Sequence, residues 1–150
     1  MAVIDASKTK KPFIEDRDDN IFIGIDLPFR RSDGKEGYFA STTTTIEAVK
    51  NNIKNLVQTN KGERFMQPEL GLNLRSYMFE QVTDETIINI QNDIVDTFKV
   101  WLPFVEIQDI QVSANETDAV GRNKLSINIV FNITKDPTSL ESVQVEITGD

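Results

Sequence analysis

Residues 83–112 read TDETIINIQNDIVDTFKVWLPFVEIQDIQV, and within this stretch the spacing of the apolar residues changes. From Ile87 to Trp101 they recur every three or four residues, which is typical of an amphipathic helix. Thr83 is a suitable N-cap for that helix, and two acids follow it in the first turn. Pro103 ends the helix, because the residue before a proline avoids the α region.

Beyond Pro103 the apolar residues alternate, which is the period of a β-strand. The alternation changes parity between Ile107 and Ile110, so we expect a bulge or bend at Gln108-Asp109 that keeps one apolar face. Two further strands have apolar residues at alternate positions: Leu125, Ile127, Ile129, Phe131 and Ile133, then Val143, Val145 and Ile147. A polar loop over 115–123 and a turn at 135–137 are expected to separate the strands.

Upstream, the sequence predicts a helix over about 45–59. Thr44 and Glu47 form a capping box at its start, and an apolar stripe from Ile46 to Val57 follows. A short helix of about two turns is expected within 72–79. Helices followed by an antiparallel meander predict an α+β fold, with two or three helices packed on a small sheet that ends in a C-terminal edge strand.

The first forty residues lack helical periodicity and are broken by glycines and prolines. We expect residues 1–40 to form an extended N-terminal arm and 41–150 a single α+β domain. Residues 21–27 are apolar on both faces and could form a short strand buried on both sides. The arm keeps several aromatic residues, which either pack on the domain or dock on another subunit: Phe22, Phe29, Tyr38 and Phe39.

Composition restricts the chemistry. The 150 residues include no histidine and no cysteine, which excludes Ser-His-Asp triads, thiolate catalysis, and metal sites built on His or Cys. The sequence shows neither a signal peptide nor an apolar run of about 20 residues, so we expect no membrane insertion and synthesis in a cytoplasm. We expect no cofactor.

The net charge of −8 is concentrated in one segment. Residues 80–118 contain nine acids and one base, Lys99, whereas residues 41–79 contain five bases and three acids. The negative total argues against binding to nucleic acid, because like charges repel. The acidic segment is either a solvated helix face and loop or a surface for a basic partner.

Motifs for catalysis or ligand binding are weak. Glycoside hydrolysis needs two carboxylates roughly 5–10 Å apart, and Glu63 and Glu69 share one loop. Residues 16–20 resemble the start of a calcium loop but lack its glycine and distal glutamate. Gly34-Lys35-Glu36-Gly37 lacks the ending of a phosphate-binding loop. The last strand carries more information, because a strand at a sheet edge can pair with a strand of another chain.

The stretch from Ile46 to Ile147 resembles the baseplate wedge and sheath-initiator family of contractile phage tails, the GPW-like family, which has a counterpart in type VI secretion. The resemblance depends on residues 49–57, on Lys61-Gly62-Glu63-Arg64, and on Pro68-Glu69-Leu70-Gly71. Phe79-Glu80, the long helix and the terminal strands continue it. Residues 27–30 and 37–42 are similar to the arm of variants found in large myophages.

The resemblance implies a non-enzymatic part of the virion tail baseplate, assembled in the host cytoplasm. Its implied partners are the tail sheath protein, the core-bundle subunits of the wedge, and neighbouring tube or hub proteins. Sheath contact is implied for the strand residues Val143, Gln144, Val145, Glu146 and Ile147. Wedge contact is implied for Trp101, Leu102, Pro103 and Phe104, although the family's Glu-Pro-Arg is here Leu-Pro-Phe, so that only the proline matches.

Two other functions stay open. Some family members have been described as tail lysozymes, which keeps a glycosidase in consideration. A stand-alone adaptor that binds one soluble partner is the third class of function.

Overall fold

The computed structural model describes residues 16, 21–32, 38–80, 83–117 and 123–148. They include three helices, α1 (Thr45–Gln58), α2 (Leu74–Tyr77) and α3 (Asp84–Trp101). They also include five strands, β1 (Gly24–Ile25), β2 (Ser41–Thr42), β3 (Val105–Thr117), β4 (Asn123–Ile133) and β5 (Asp136–Thr148). The predicted α+β class is confirmed. These residues fall into two compact units, one ending at Asn52 and one beginning at Ile53.

In the first unit, β1 pairs antiparallel with β2. The amide of Asp26 donates to the carbonyl of Ala40 at 2.9 Å, and a bridge joins Arg31 to Phe39. The predicted doubly buried strand over 21–27 is wrong. Only Gly24–Ile25 is strand, and Ile25 is 52% exposed, because a two-stranded ribbon leaves one face open.

The N-terminus of α1 is held by two side chains of the first unit. The Oδ1 atom of Asp16 accepts hydrogen bonds from the amide of Thr45 at 2.7 Å and from its hydroxyl at 2.9 Å. The hydroxyl of Thr44 accepts from the amide of Glu47 at 3.4 Å, as the capping box predicts. Residues 17–20 of the calcium-like motif, residues 33–37 and most of residues 1–20 lie outside the described residues. The division into an arm over 1–40 and a domain over 41–150 stays a prediction.

In the second unit, α3 agrees with the prediction at both ends. The hydroxyl of Thr83 accepts from the amide of Thr86 at 3.3 Å, and the helix ends before Leu102 and Pro103. Its apolar stripe is fully buried at Ile90, Ile94 and Phe98. The short helix is one turn, shorter than the two turns predicted, because the amides of Phe79 and Glu80 donate to carbonyls three residues back, which continues the chain as turns.

The second unit contains an antiparallel sheet in the order β3-β4-β5. The register of β3 on β4 shifts between Ile107 and Asp109, which confirms the predicted bulge. One face of the sheet is buried, and its side chains form the core with those of α3: Val105, Ile110, Leu125, Ile127, Ile129, Phe131, Ile133, Val143, Val145 and Ile147.

Two predicted boundaries in the sheet are wrong. The loop over 115–123 is shorter than expected, because β3 continues to Thr117 and β4 begins at Asn123. The turn is also shorter, since Ile133 already pairs with Asp136 and β5 begins there. The first half of β5 is polar, so apolar alternation could not reveal it.

Candidate protein-interaction site

β5 lies at the edge of the sheet and is 13 residues long. Val143, Val145 and Ile147 point into the core and are at most 7% exposed, whereas Gln144 and Glu146 are exposed on the opposite face. Within the described part of the chain, no strand pairs with the outer side of β5. The predicted position of the terminal strand at an edge is therefore observed.

A contact at β3, the opposite edge of the sheet, shows which backbone groups of β5 point outward. Gln91 on α3 donates from Nε2 to the carbonyl oxygen of Ile110 at 2.8 Å, so the backbone groups of Ile110 point away from β4. Ile129, the partner of Ile110, must then point toward β5 and form the hydrogen-bonded pair with Val143.

Because strand residues alternate, Val145 and Ile147 also face β4 with their N–H and C=O groups. The backbone groups of Ser142, Gln144 and Glu146 then face the outer edge. The side chains of β5 that fill the core therefore belong to residues that bond to β4, whereas residues with exposed side chains have their N–H and C=O at the edge. An added strand could pair without disturbing the core.

Side-chain contacts hold the exposed face of β5 in register with β4. Gln144 donates from Nε2 to the hydroxyl of Ser126 at 3.2 Å, and Lys124 forms an ion pair with Glu146 at 2.9 Å. Beyond Glu146 the edge approaches α2, where a groove of about 280 Å³ is lined by residues that include Arg75, Glu146 and Thr148. The accessible part of the edge is therefore the stretch up to and including Glu146.

The residues predicted to contact the wedge form the corner between α3 and β3. Leu102 is 7% exposed and belongs to the core, whereas Pro103 and Phe104 are on the surface and Trp101 is half-buried. The carbonyl of Phe104 accepts from both the amide and the hydroxyl of Thr134, at 3.0 and 3.1 Å, which fixes the corner to the β4–β5 turn. The wedge contact stays a prediction, and Leu102 could serve it only by supporting its neighbours.

The family signature residues form a loop that returns to the end of α1. The carboxylate of Glu63 accepts from the amide of Asn60 at 2.9 Å, and Arg64 donates from Nη2 to the Oδ1 atom of Asn55 at 3.0 Å. The amide of Gly62, whose φ is 85°, donates to the carbonyl of Pro68 at 2.8 Å. Lys61 and Glu69 are exposed on the same loop. The signature therefore has a structural explanation.

Three of the four arm aromatics come together in the first unit. The ring of Phe39 lies 5.7 Å from that of Phe29 and 5.0 Å, edge to face, from that of Tyr38. The Arg31 guanidinium lies 5.8 Å from the centre of the Tyr38 ring. All three rings are at least 46% exposed. Phe22 is 45% exposed, and its docking, like that of the other three, stays a prediction.

Two titratable groups of the described residues, Tyr77 and Asp136, have shifted pKa values. Tyr77 donates to the Oδ2 atom of Asp93 at 2.9 Å, and this hydrogen bond, with burial, raises the pKa of the phenol. Hydrogen bonds from Ser139 and Thr138 lower the pKa of Asp136 at the β4–β5 turn. Across the described ranges, no group of three or more acidic side chains is placed to hold a metal ion. Among the helices of that same part of the chain, none has the length and apolar character needed to cross a membrane.

Two solved structures are similar to this chain over most of its length. The chain is similar to a component of the anti-feeding prophage baseplate solved with 6-fold symmetry, with a TM-score of 0.59, 25% identity, and coverage of 73% of this chain and 83% of that one. It shares its fold with a Geobacter sulfurreducens protein provisionally named a tail lysozyme, with a TM-score of 0.61, 21% identity, and coverage of 71% and 93%. The α+β fold and the likeness to the anti-feeding prophage component define the class of this chain as small α+β baseplate components.

A family model described as baseplate wedge protein gp25 matches residues 43–138, and the chain belongs to this family. It is 22% identical over 109 residues to baseplate wedge protein gp25 of Enterobacteria phage T4, which covers 73% of this chain and 80% of that protein. The predicted family is confirmed, and the chain has a structural role in a baseplate.

Sequence reasoning missed Gln91, whose bond to Ile110 shows the direction of the strand backbone, and the exposed pair Phe65-Met66, which are 95% and 85% exposed. No sequence signal distinguishes Gln91 from other polar residues on α3. Phe65-Met66 carried a signal, since two large apolar residues stand inside a loop bounded by glycines.

Proposed function

We propose that this chain joins the baseplate wedge to the tail sheath and starts sheath polymerisation by adding a sheath strand to the outer edge of β5. The observation that carries the proposal is the position of β5 at the sheet edge, with the N–H and C=O groups of Ser142, Gln144 and Glu146 directed outward. An incoming strand would pair with these groups, and the exposed side chains of Gln144 and Glu146 would set its register.

The energetics favour a role in a repeated assembly. Each ladder hydrogen bond contributes about 1 kcal/mol net, and three residues supply only a few such bonds. Association costs at least about 4 kcal/mol in lost translational and rotational freedom, so one strand contact is weak. Repetition of the contact around a ring raises the effective concentration of each further strand and stabilises the whole.

We further propose the location and the other partners of the chain. The chain resides in the virion tail baseplate and is assembled there in the host cytoplasm. The corner with Pro103 and Phe104 contacts the core-bundle subunits of the wedge, and tube or hub proteins lie nearby. The role requires no catalysis. In support, the Glu63 carboxylate, one of the two glycosidase candidates, is bonded to the amide of Asn60 within its own loop.

Hydrogen–deuterium exchange with and without purified sheath subunits tests the proposal. In the chain on its isolated baseplate, the amides of Gln144 and Glu146 should exchange quickly and those of Val143 and Val145 slowly. Addition of sheath should slow exchange at Gln144 and Glu146 about tenfold or more, because these amides gain carbonyl partners. Unchanged exchange at both positions while sheath polymerises would contradict strand addition at β5.

A further inference from the structure

The loop that carries the family signature also presents two large apolar side chains to solvent. Phe65 is 95% exposed and Met66 is 85% exposed, the two highest values among the large apolar residues that the structure describes. Single exposed apolar residues are common on protein surfaces and need no explanation. Phe65 and Met66 are adjacent, have almost no contact with their own chain, and lie in a loop held by hydrogen bonds. Their exposure therefore needs an explanation.

The backbone around this pair is braced on both sides. The amide of Gln67 donates to the carbonyl of Arg64 at 3.2 Å, which places Phe65 and Met66 at the two central positions of a β-turn. The base of the turn is closed by the bond from Gly62 to Pro68, at 2.8 Å, and by the bond from Arg64 to Asn55, at 3.0 Å. A loop fixed in this way holds the two side chains outward before any partner arrives, which lowers the entropy cost of binding.

The charges beside the pair indicate the chemistry of the partner. Lys61 and Arg64 are exposed on the same loop, and residues 41–79 have a net charge of +2, from five bases and three acids. The nearest acid in sequence, Glu63, already accepts the amide of Asn60. A complementary surface would therefore be an apolar cleft with carboxylates at its rim.

A second copy of this chain fits that description poorly. Its groove between α3 and β3, of about 730 Å³, has polar or charged residues at six of its twelve lining positions. Phe98, Val105 and Ile110 line it too, but they are at most 9% exposed and already packed. An apolar pair inserted there would remove water from polar groups without replacing their hydrogen bonds.

We propose that Phe65 and Met66 form a docking knob that inserts into an apolar, carboxylate-rimmed cleft on a different subunit of the baseplate. The knob is separate from the β5 edge and adds a third contact to the two of the proposed function, which are the edge that receives the sheath and the corner at Pro103 and Phe104. The braced loop explains why the knob needs the signature residues around it, since Gly62 and Arg64 shape the turn that presents it.

Photo-crosslinking identifies what the knob touches. The full chain with Phe65→p-benzoylphenylalanine, which keeps the aromatic ring, is assembled into particles and irradiated. The expected product is a covalent adduct with a baseplate protein that is neither the sheath protein nor a second copy. The same substitution at Ile88, which is 55% exposed on α3, is the control and should not give that adduct. An adduct with sheath or with a second copy, or no adduct from particles that contain the chain, would overturn the proposal.

A binding measurement provides the second test. Baseplates isolated from particles that lack this chain are titrated with the purified chain, and the double variant F65D/M66D should bind about tenfold or more weakly. Its melting temperature should match that of the wild type because both side chains are exposed. Ile88→Asp should bind normally, as should Gln144→Pro, which removes an amide at the β5 edge and thereby separates this proposal from the proposed function. Binding of F65D/M66D with unchanged affinity would refute the knob.

Discussion

Gly71 lies so close to Thr59 that a Cβ atom added to it would sit 2.3 Å from the Thr59 carbonyl oxygen. The same oxygen accepts the amide of Leu72 at 2.8 Å, so this approach fastens the far end of the signature loop to the residue that follows α1. Gly71 also has a φ of 112°, which side-chain-bearing residues rarely adopt. The closing glycine of the signature is therefore required by both space and conformation.

Gly71→Ala should destabilise the fold by about 3 kcal/mol or more, because the added methyl group overlaps backbone atoms and the left-handed conformation is strained as well. Urea unfolding followed by circular dichroism measures the loss. The matched control is Gly62→Ala, at a φ of 85° where an added Cβ meets nothing within 4 Å. It should cost only the conformational strain, about 1–2 kcal/mol. Equal losses for the two variants would show that the contact with Thr59 is unimportant.

Asp136→Asn should make stability less dependent on pH in the acid range. Hydrogen bonds from Ser139 and Thr138 lower the folded-state pKa of Asp136 below its ordinary value of 3.8, so ionisation favours the folded state. This stabilisation is present above the unfolded-state pKa and is lost as the pH falls through the folded-state pKa. The measurement is the denaturation midpoint of each protein between about pH 2 and pH 7. The midpoints of wild type and variant should differ at neutral pH and become equal at the acid end of this range.

Ser139→Ala serves as the companion to that variant. It removes the largest contribution to the lowered pKa but keeps the carboxylate. The acid dependence should shrink without disappearing, since Thr138 still donates to Asp136 at 2.8 Å. A wild-type pH profile in both variants would contradict the assignment.

Glu63→Gln should lower the stability of the loop slightly. Because the proposed role requires no catalysis, we expect no lytic activity from the wild type and therefore none to be lost in the variant. An amide oxygen accepts the Asn60 hydrogen less strongly than a carboxylate does, so stability should fall by roughly 1 kcal/mol. Glu69→Gln, on the same loop, is the matched control. Clearing of peptidoglycan by the purified wild-type protein, lost in both variants, would instead support the glycosidase.

The sequence predicted those parts of the fold that depend on local pattern. The bounds of α3 follow from the Thr83 cap and from Pro103, and the bulge near Gln108 follows from the parity change in β3. The first half of β5 was missed because its pairing with β4, rather than apolar alternation, makes it a strand. The length and the burial of β1 were overestimated, because its apolar residues could be buried only under a second layer over the two-stranded ribbon.

The candidate site was likewise predictable only where it depends on local pattern. Val143, Val145 and Ile147 could be assigned to a terminal strand because their side chains alternate. The direction of the backbone groups could not be predicted, since it depends on the register of the whole sheet, which the long-range bond from Gln91 to Ile110 reveals. The exposure of Phe65 and Met66 likewise depends on hydrogen bonds around Arg64 that no residue pattern encodes.

Gln144→Pro tests the central claim, because it removes one outward N–H while the backbone groups that bond β5 to β4 belong to Val143 and Val145. Proline is tolerated on an edge strand when its nitrogen faces outward. Deletion of β5 would be less informative, since it would also remove three core side chains. Gln144→Thr is the matched control: it loses the same side-chain bond to Ser126 but keeps the amide, and both variants should lose only about 1 kcal/mol of stability.

The decisive measurement is the fraction of baseplates that carry an extended sheath, counted by electron microscopy in particles assembled with each variant. Baseplates of normal composition are expected with both variants, with sheath on those that carry Gln144→Thr and little or no sheath on those that carry Gln144→Pro. Sheaths of normal frequency and length on Gln144→Pro baseplates would contradict strand addition at the β5 edge.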